Sequence, residues 1–358
     1  MKKQTLLTLY LVLVAGVLSA QVPVGYYNTA AGKGGRSLQI ALFEIIDNHQ
    51  SQSYSGLWNC FYTTDVRDDG FVWDIYSDIP GGTPPYLYTF GNDQCGNYSS
   101  EGDCYNREHS MPKSWFNDAS PMYTDLFHIY PTDGAVNGRR SNFPYGEVNN
   151  SSWTSRNGSK LGSCSTPGYS GTVFEPIDEY KGDLARTYLY MCTRYFDEKL
   201  DYENGSYMLE GSQFKPWALA LLLSWHEADP VSQKEIDRNK AIYNIQRNRN
   251  PFIDYPELAG KIFGADSVNV FTPNGVKAYE EKCFTVAPNP AKEILVIRSD
   301  NEYVDHVLIV DMLGREMFSE QIETQGDFSI DLSAFSPGLY FIQISNKKGK
   351  ETHKIVKI

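Results

Sequence analysis

Two polar stretches of the sequence contain residue types that could cleave a phosphodiester bond. Glu108 directly precedes His109, and Asn137 lies further along the chain, followed by Arg139 and Arg140. A neutral histidine, with a pKa of about 6.5, can accept a proton from water near neutral pH. Carboxylate and amide oxygens suit hard divalent cations, and arginine binds phosphate oxygens through paired N–H groups. Together these residues could supply a base, metal ligands and phosphate contacts.

The chemistry requires that Glu108 and His109 reach one site. Neighbouring residues on a strand point to opposite faces, so the strand must end or twist near them, and Pro112 favours such an end. An isolated Glu-His pair is more often a packed or surface pair without a catalytic role. The pair indicates a catalytic site only together with the second polar stretch.

The second stretch predicts a short strand at 127–130 and then a helix. We expect the helix to begin near Pro131 with Thr132 or Asp133 as its cap. Asn137 would lie one turn along this helix, with Arg140 and Ser141 on its face. Taken alone, Asn137 could equally be a helix cap or a solvent-exposed residue.

Hydrophobic periodicity and turn residues divide the 358-residue chain into two folded regions, of which the first mixes helices and strands and the second contains only strands. The fold class is α+β, followed by a small β-sandwich. The predicted helices of the first region span 35–49, 179–200, 217–225 and 232–247. The predicted strands of the second region span 294–297, 304–310, 314–318, 327–332, 339–344 and 351–358. The predicted boundaries are a signal peptide at 1–20, a first domain at 21–265, a linker at 266–282 and a tail domain at 283–358.

The N-terminus has the pattern of a secretory signal peptide. Lys2 and Lys3 precede an apolar run at 6–18, and Ser19-Ala20 offers a small-residue cleavage site. A membrane anchor is the alternative, but the run is shorter than the roughly 20 residues that a span needs. We expect export, no stable membrane span and a monomer.

Composition excludes a disordered chain, because 41% of the residues are hydrophobic and 21% are charged. The formal net charge of -12 is unfavourable for binding nucleic acid, because positive charge on a protein favours contacts with phosphate. The local field around the basic residues near the two stretches matters more than this total.

The chain contains six cysteines, and export to an oxidising compartment would allow them to form disulfides. Cys95 and Cys104 flank a loop rich in Gly, Asn and Ser directly before the first polar stretch, and we predict that they pair. The sequence leaves the pairing of the other four open. Because neither a Cys-x-x-Cys pair nor a Cys/His cluster occurs, we expect no structural zinc site.

The last seventy or so residues resemble the C-terminal sorting domain of proteins exported by the type IX secretion system. The motifs that carry this resemblance are Ala287-Pro288-Asn289-Pro290, Asp311-Met312-Leu313-Gly314-Arg315, Pro337-Gly338-Leu339-Tyr340 and Lys354-Ile355-Val356-Lys357-Ile358. The resemblance implies recognition by the secretion machinery, passage through the outer membrane, and then release or attachment at the cell surface. An ordinary β-sandwich added for stability or adhesion is the alternative.

The first region, from about residue 26 to 264, resembles the endonuclease I family of secreted and periplasmic nucleases, which contain a ββα-metal (His-Me) finger. Besides the two polar stretches, the motifs that carry this resemblance are Phe174-Glu175-Pro176, Lys181-Gly182-Asp183-Leu184-Ala185-Arg186, Trp225-His226-Glu227-Ala228-Asp229-Pro230 and Asn248-Arg249-Asn250-Pro251.

The resemblance implies a role for each residue of the two stretches. His109 matches the general base, and Glu108 and Asn137 match the two protein ligands of a divalent cation. Two protein ligands suit Mg²⁺, with Ca²⁺ or Mn²⁺ as alternatives. The reaction would be hydrolysis that leaves a 5′-phosphate on DNA, with RNA as a second substrate.

The phosphate-binding arginine is not where the family pattern puts it, because no arginine lies between His109 and Arg139. Arg139 or Arg140 is the expected replacement, and a structural salt bridge is the alternative. His128 is expected to pack against the site or orient it, and Arg186, Arg238 and Arg249 to brace the domain.

The sequence is compatible with three alternative functions. The first is a secreted, metal-dependent endonuclease with little sequence specificity. The second is an adhesin or nucleic-acid-binding protein without catalysis, which the acidic charge and the tail would suit. The third is a secreted phosphodiesterase that acts mainly on RNA.

Overall fold

The structure is a computed structural model that describes residues 22–201, 207–273, 284–299, 303–311, 315–346 and 349–358. The predicted signal peptide lies outside the described residues. The chain divides into two compact units, Met1–Gly275 and Val276–Ile358.

The described part of the first unit contains eight α-helices and seven short strands. The helices are α1 (Gly35–Ile46), α2 (Leu57–Thr64), α3 (Gly134–Arg140), α4 (Lys181–Arg194), α5 (Pro216–Ala228), α6 (Gln233–Gln246), α7 (Pro251–Asp254) and α8 (Leu258–Phe263). The strands are β1 (Tyr105–His109), β2 (Ile129–Asp133), β3 (Val148–Thr154), β4 (Lys160–Cys164), β5 (Thr172–Glu175), β6 (Leu209–Glu210) and β7 (Gln213–Phe214). They form three antiparallel sheets in the orders β1-β2, β3-β4-β5 and β6-β7.

The predicted helices are present, with differences at their ends. Helix α1 ends at Ile46 and does not reach His49, because Asn48 takes a left-handed φ of 54°. Helix α6 begins at a capping box in which the Ser232 hydroxyl accepts from the Glu235 N–H and the Glu235 carboxylate accepts from the Ser232 N–H.

Helix α4 is the centre of the first unit. The sequence predicts an amphipathic helix with one apolar face, but every residue of α4 is buried. The reason is packing on several sides, because α1, α5 and α7 all contact it. The polar residues of α4 therefore need partners inside the protein, and its arginines find them.

Strands β1 and β2 and helix α3 form one continuous ββα unit. Glu108 of β1 lies opposite Tyr130 of β2, and Arg107 lies opposite Pro131. The sequence analysis placed Pro131 at the start of the helix, which is wrong: it lies within β2, and the helix begins at Gly134. A proline is tolerated at this position because a two-stranded sheet has an open edge that needs no N–H donor.

The second unit is a β-sandwich, as predicted. Its strands are β8 (Phe284–Ala287), β9 (Ile294–Ser299), β10 (Tyr303–Asp311), β11 (Glu316–Gln325), β12 (Phe328–Asp331), β13 (Gly338–Asn346) and β14 (Gly349–Lys357). They form one sheet in the order β11-β10-β13-β14 and another in the order β12-β9-β8. Alternate residues of both sheets build one apolar core. The sequence analysis did not predict β8 as a strand.

The first part of the predicted linker packs on the first unit. Ala265–Val268 forms a 3-10 helix. Phe271 is buried against Tyr255, and its backbone bonds to Gly32 and Lys33. Residues 274–283, which include Cys283, lie outside the described residues.

A buried ion pair ties α6 to the end of α2, and the same arginine bonds to the backbone around the start of β2. The Arg238 Nε donates to Asp65 Oδ1 at 2.7 Å, and its Nη2 donates to the carbonyls of Leu126 and Ile129 at 2.7 and 2.9 Å. Both side chains are buried, so removing one charge leaves the other unpaired inside the protein.

We therefore expect Asp65→Asn to lower the free energy of unfolding by about 3–5 kcal/mol in urea titrations. Asp118→Asn, which breaks the exposed pair with Lys113, should cost less than about 1 kcal/mol. Equal effects of the two variants would contradict the structural role assigned to the buried pair.

Candidate active site

Glu108 is held in the protein interior by one of its two carboxylate oxygens. It is 2% exposed, and its Oε1 accepts from the Tyr76 hydroxyl and from Arg140 Nη1, each at 3.0 Å. Within the described part of the chain, Oε2 has no hydrogen-bond partner. Burial raises the pKa of Glu108 to about 7, although Arg140 and Tyr76 act to lower it. The arginine and the tyrosine fix the carboxylate and leave one oxygen available.

Arg140 is directed inward. It is 1% exposed, and besides Glu108 it donates to the backbone carbonyls of His109 and Ser110. Its guanidinium carbon lies 4.6 Å from the centre of the Tyr145 ring. This geometry agrees with the salt-bridge alternative and replaces the expectation that Arg140 contacts phosphate. Arg139 is exposed at the end of α3.

His109 has its ring fixed in one orientation. Its Nε2 lies 3.1 Å from the backbone carbonyl of Tyr123. A carbonyl can only accept, so Nε2 carries the proton and Nδ1 of the neutral ring keeps its lone pair. Burial, followed by the nearby His128, lowers the pKa of His109 to about 3. The imidazole is therefore neutral at physiological pH.

Asn137 is oriented by a neighbour that the sequence analysis missed. Its Nδ2 donates to Asn106 Oδ1 at 2.7 Å, which leaves Asn137 Oδ1 free to accept or to bind a cation. Asn106 lies two residues before Glu108 and thus on the same face of β1. That spacing was the signal in the sequence that could have identified Asn106.

Asp133 holds the start of α3 in place. Its side chain caps the helix through the Val136 N–H at 2.7 Å and also accepts from the Tyr88 hydroxyl and the Gly102 N–H. The sequence analysis left Thr132 and Asp133 as alternatives, and the structure selects Asp133. A buried cap with this many donors fixes where Asn137 sits.

The loop before β1 closes over the same helix. Cys95 and Cys104 form the predicted disulfide, and the Gly134 N–H donates to the Cys104 carbonyl at 3.0 Å. Tyr98 of this loop lies over α3 where a side chain at Gly134 or Gly138 would collide with its ring. The disulfide loop therefore helps to position the ββα unit.

His128 packs against the site, as expected. It is fully buried, its Nε2 lies 2.7 Å from the Met122 carbonyl, and its ring lies 5.5 Å from that of His109. Burial lowers the pKa of His128 to about 4. The His128 ring therefore packs against the His109 ring from the protein interior.

The three arginines expected to brace the domain do so. The observed buried ion pairs are Arg186 with Glu235, Arg238 with Asp65, and Arg249 with Asp254. Among the described residues, no group of three or more His, Cys, Asp or Glu side chains is placed to hold a metal ion.

The ββα unit presents a carboxylate, an imidazole and an amide, and an all-β unit follows it along the chain. The endonuclease I family model matches residues 34–257, and the model of the secretion system C-terminal sorting domain matches residues 285–358. The chain therefore belongs to the endonuclease I family.

Named relatives support this assignment. An extracellular ribonuclease of Bacillus amyloliquefaciens is 37% identical over 244 residues, covering 66% of this chain and 78% of the relative. Endonuclease-1 of Buchnera aphidicola subsp. Acyrthosiphon pisum is 31% identical over 131 residues, covering 36% of this chain and 44% of the relative. An extracellular deoxyribonuclease of Aeromonas hydrophila is 30% identical over 135 residues, covering 37% of this chain and 50% of the relative.

The protein is thus a secreted endonuclease whose tail directs export by the type IX system. None of the helices in the described residues has the length and apolar character needed to cross a membrane.

The depressed pKa of His128 predicts acid sensitivity. Between about pH 6.5 and pH 4 the unfolded histidine binds a proton that the folded one does not, so stability falls as the pH falls through this range. We expect His128→Gln to reduce the slope of unfolding free energy against pH by up to about 1.4 kcal/mol per pH unit. Chemical denaturation across this pH range measures the slope. His306→Gln, in the tail, should leave it unchanged, and an unaltered slope in His128→Gln would contradict the assignment.

Proposed function

We propose that His109 is the general base of the nuclease and that Glu108 and Asn137 hold a divalent cation beside it. The observation that carries the proposal is the arrangement of Glu108, whose Oε1 is engaged by Tyr76 and Arg140 while Oε2 has no hydrogen-bond partner among the described residues. A carboxylate needed only for structure would be expected to use both oxygens when buried.

His109 takes the proton from the attacking water. The bond from Nε2 to the Tyr123 carbonyl leaves Nδ1 as the basic nitrogen. When Nδ1 gains the proton, the same carbonyl stabilises the positive ring that forms. The low pKa keeps the ring unprotonated before the reaction.

The donor set at the site fits Mg²⁺, with Ca²⁺ and Mn²⁺ as alternatives. Glu108 Oε2 and Asn137 Oδ1 are hard oxygen ligands, and Mg²⁺ keeps several waters when few protein ligands are present. When bound, such an ion supplies positive charge next to the phosphate and the leaving oxygen. Nucleases of the endonuclease I family generally need a divalent metal.

The substrates we propose are DNA and RNA, cut with little sequence specificity to 5′-phosphate products. Relatives carry the names ribonuclease and deoxyribonuclease, which supports action on both. Phosphate and sugar contacts position a chain without reading its bases. Arg140 acts on Glu108 and not on substrate, whereas the exposed Arg139 is left available to contact phosphate.

We further propose that residues 1–20 are removed on export and that 21–265 form the nuclease domain. Residues 266–282 would form the linker, and 283–358 the sorting domain. Release from the cell or attachment to its surface would follow recognition of the tail. The mature enzyme would act as a monomer.

Removing the imidazole tests the role of the base. His109→Ala should reduce cleavage of plasmid DNA by about 10²–10⁴-fold in the presence of Mg²⁺, because a positioned base contributes that much to catalysis. EDTA should stop the wild-type reaction, and His306→Gln should cleave normally. Equal rates for wild type and His109→Ala would refute the proposal, and DNA retention without cleavage under any divalent ion would favour a binding protein instead.

Removing the partner of Asn137 tests the metal ligand. Asn106→Ala frees the Asn137 amide to rotate, so the Mg²⁺ concentration that gives half-maximal cleavage should rise about 10–100-fold. Titrating Mg²⁺ against initial rate measures this change. Asn150→Ala, at an exposed position on β3, is the matched control and should keep the wild-type requirement. An unchanged requirement in Asn106→Ala would remove Asn137 from the metal site.

A further inference from the structure

Arg107 differs from the buried arginines of the first unit because it has no carboxylate partner among the described residues. It is half-buried on β1, and the one hydrogen bond that its side chain makes to the described residues runs from Nη1 to the Tyr54 carbonyl at 2.6 Å. Its Nε and Nη2 find no acceptor in the described part of the protein. The described arginines of the first unit that do pair with a carboxylate are Arg67, Arg140, Arg186, Arg194, Arg238 and Arg249.

Two aromatic rings fix the guanidinium of Arg107. Its central carbon lies 3.6 Å from the centre of the Tyr54 ring and 4.3 Å from that of Trp58. Stacking of this kind holds the plane of the group while its N–H edge remains open to a planar or tetrahedral anion. A partly desolvated cation without a counter-ion is costly, so a transient anionic ligand would satisfy it.

The same rings connect Arg107 to the catalytic base. Arg107 and His109 are two residues apart on β1 and share one face of the strand. The Tyr54 ring stacks on Tyr123 at 4.7 Å, and Tyr123 stacks on His109 at 5.2 Å with planes 22° apart. The guanidinium is therefore held at a fixed place relative to the imidazole.

A second cation lies beside this stack. The Lys113 Nζ is 5.5 Å from the centre of the Tyr123 ring and pairs with the exposed Asp118. Two cationic side chains, Lys113 paired with Asp118 and Arg107 without a carboxylate partner among the described residues, thus lie on the His109 side of β1 in a chain whose formal net charge is -12. A local field of this sign attracts a polyanion in spite of the total.

We propose that Arg107 binds a backbone phosphate of the nucleic-acid substrate next to His109, through the paired N–H groups that the stack leaves open. The proposal rests on the assignment of His109 as the base of the nuclease. It supplies the phosphate-binding arginine for which the sequence offered only Arg139 and Arg140. Because phosphate is common to DNA and RNA, the contact serves both substrates equally.

The test measures how cleavage depends on salt. Arg107→Gln should lower kcat/KM for a labelled oligonucleotide at least tenfold. It should also reduce the slope of log kcat/KM against log salt by about 0.7–0.9, the value for one lost phosphate contact. Arg107→Lys keeps the charge and should restore most of the slope. Arg36→Gln is the matched control, because Arg36 also stacks on an aromatic ring, at 3.7 Å from Phe196, but lies on α1. It should change neither quantity.

The outcomes separate this proposal from the one on which it rests. Suppose that His109→Ala abolishes cleavage but that a folded Arg107→Gln variant keeps the wild-type salt slope. The role of Arg107 is then wrong, whereas the role of His109 stands. An equal loss of slope in Arg36→Gln would overturn the role of Arg107 as well. Arg107→Met keeps the apolar part of the side chain. It replaces Arg107→Gln in the assay if Arg107→Gln unfolds below the assay temperature. Unfolding of both neutral variants would assign Arg107 to structure and overturn the proposal.

Discussion

The buried contact between Arg140 and Glu108 is the interaction on which the rest of the site depends. It draws a carboxylate whose pKa burial raises to about 7 into a fixed position. The same guanidinium bonds to the carbonyls of His109 and Ser110, so it also sets the path of the chain at the end of β1. One side chain from α3 thereby joins the strand that carries the proposed base to the helix that carries Asn137. Removing one partner of such a pair typically costs about 3–5 kcal/mol, so the geometry of the site and the stability of the ββα unit are linked.

The remaining supports act on the same three elements. Asp133 caps α3, the disulfide loop closes over it, and Arg238 holds the backbone just before β2. The Asp133 cap is a local contact, whereas the bond from Gly134 to Cys104 and the bond from Arg238 to Leu126 join segments distant in sequence. The arrangement lets short strands and a seven-residue helix, which have little stability of their own, present side chains at defined positions.

The sequence predicted the α+β class, the ββα order of elements, the Cys95–Cys104 disulfide and the tail sandwich, because each has a local pattern. It did not predict the direction in which Arg140 points. Position on a helix gives the face of a residue, but the partners on that face, Tyr145 and Glu108, come from elsewhere in the chain. Pro131 was misplaced because proline is common both at helix starts and at strand edges. Asn106 was passed over because its partner, Asn137, comes from α3. The stacking of Arg107 was not predicted because its two rings, Tyr54 and Trp58, come from elsewhere in the chain.

We propose that Glu108 and Asn137 together hold the cation beside His109. Anomalous diffraction from crystals of the mature enzyme soaked in Mn²⁺ locates the cation. One strong peak is expected within coordination distance of Glu108 Oε2 and Asn137 Oδ1, with the Arg140 contact to Oε1 intact. A peak at other residues, or a cation that displaces Arg140 from Glu108, would contradict it.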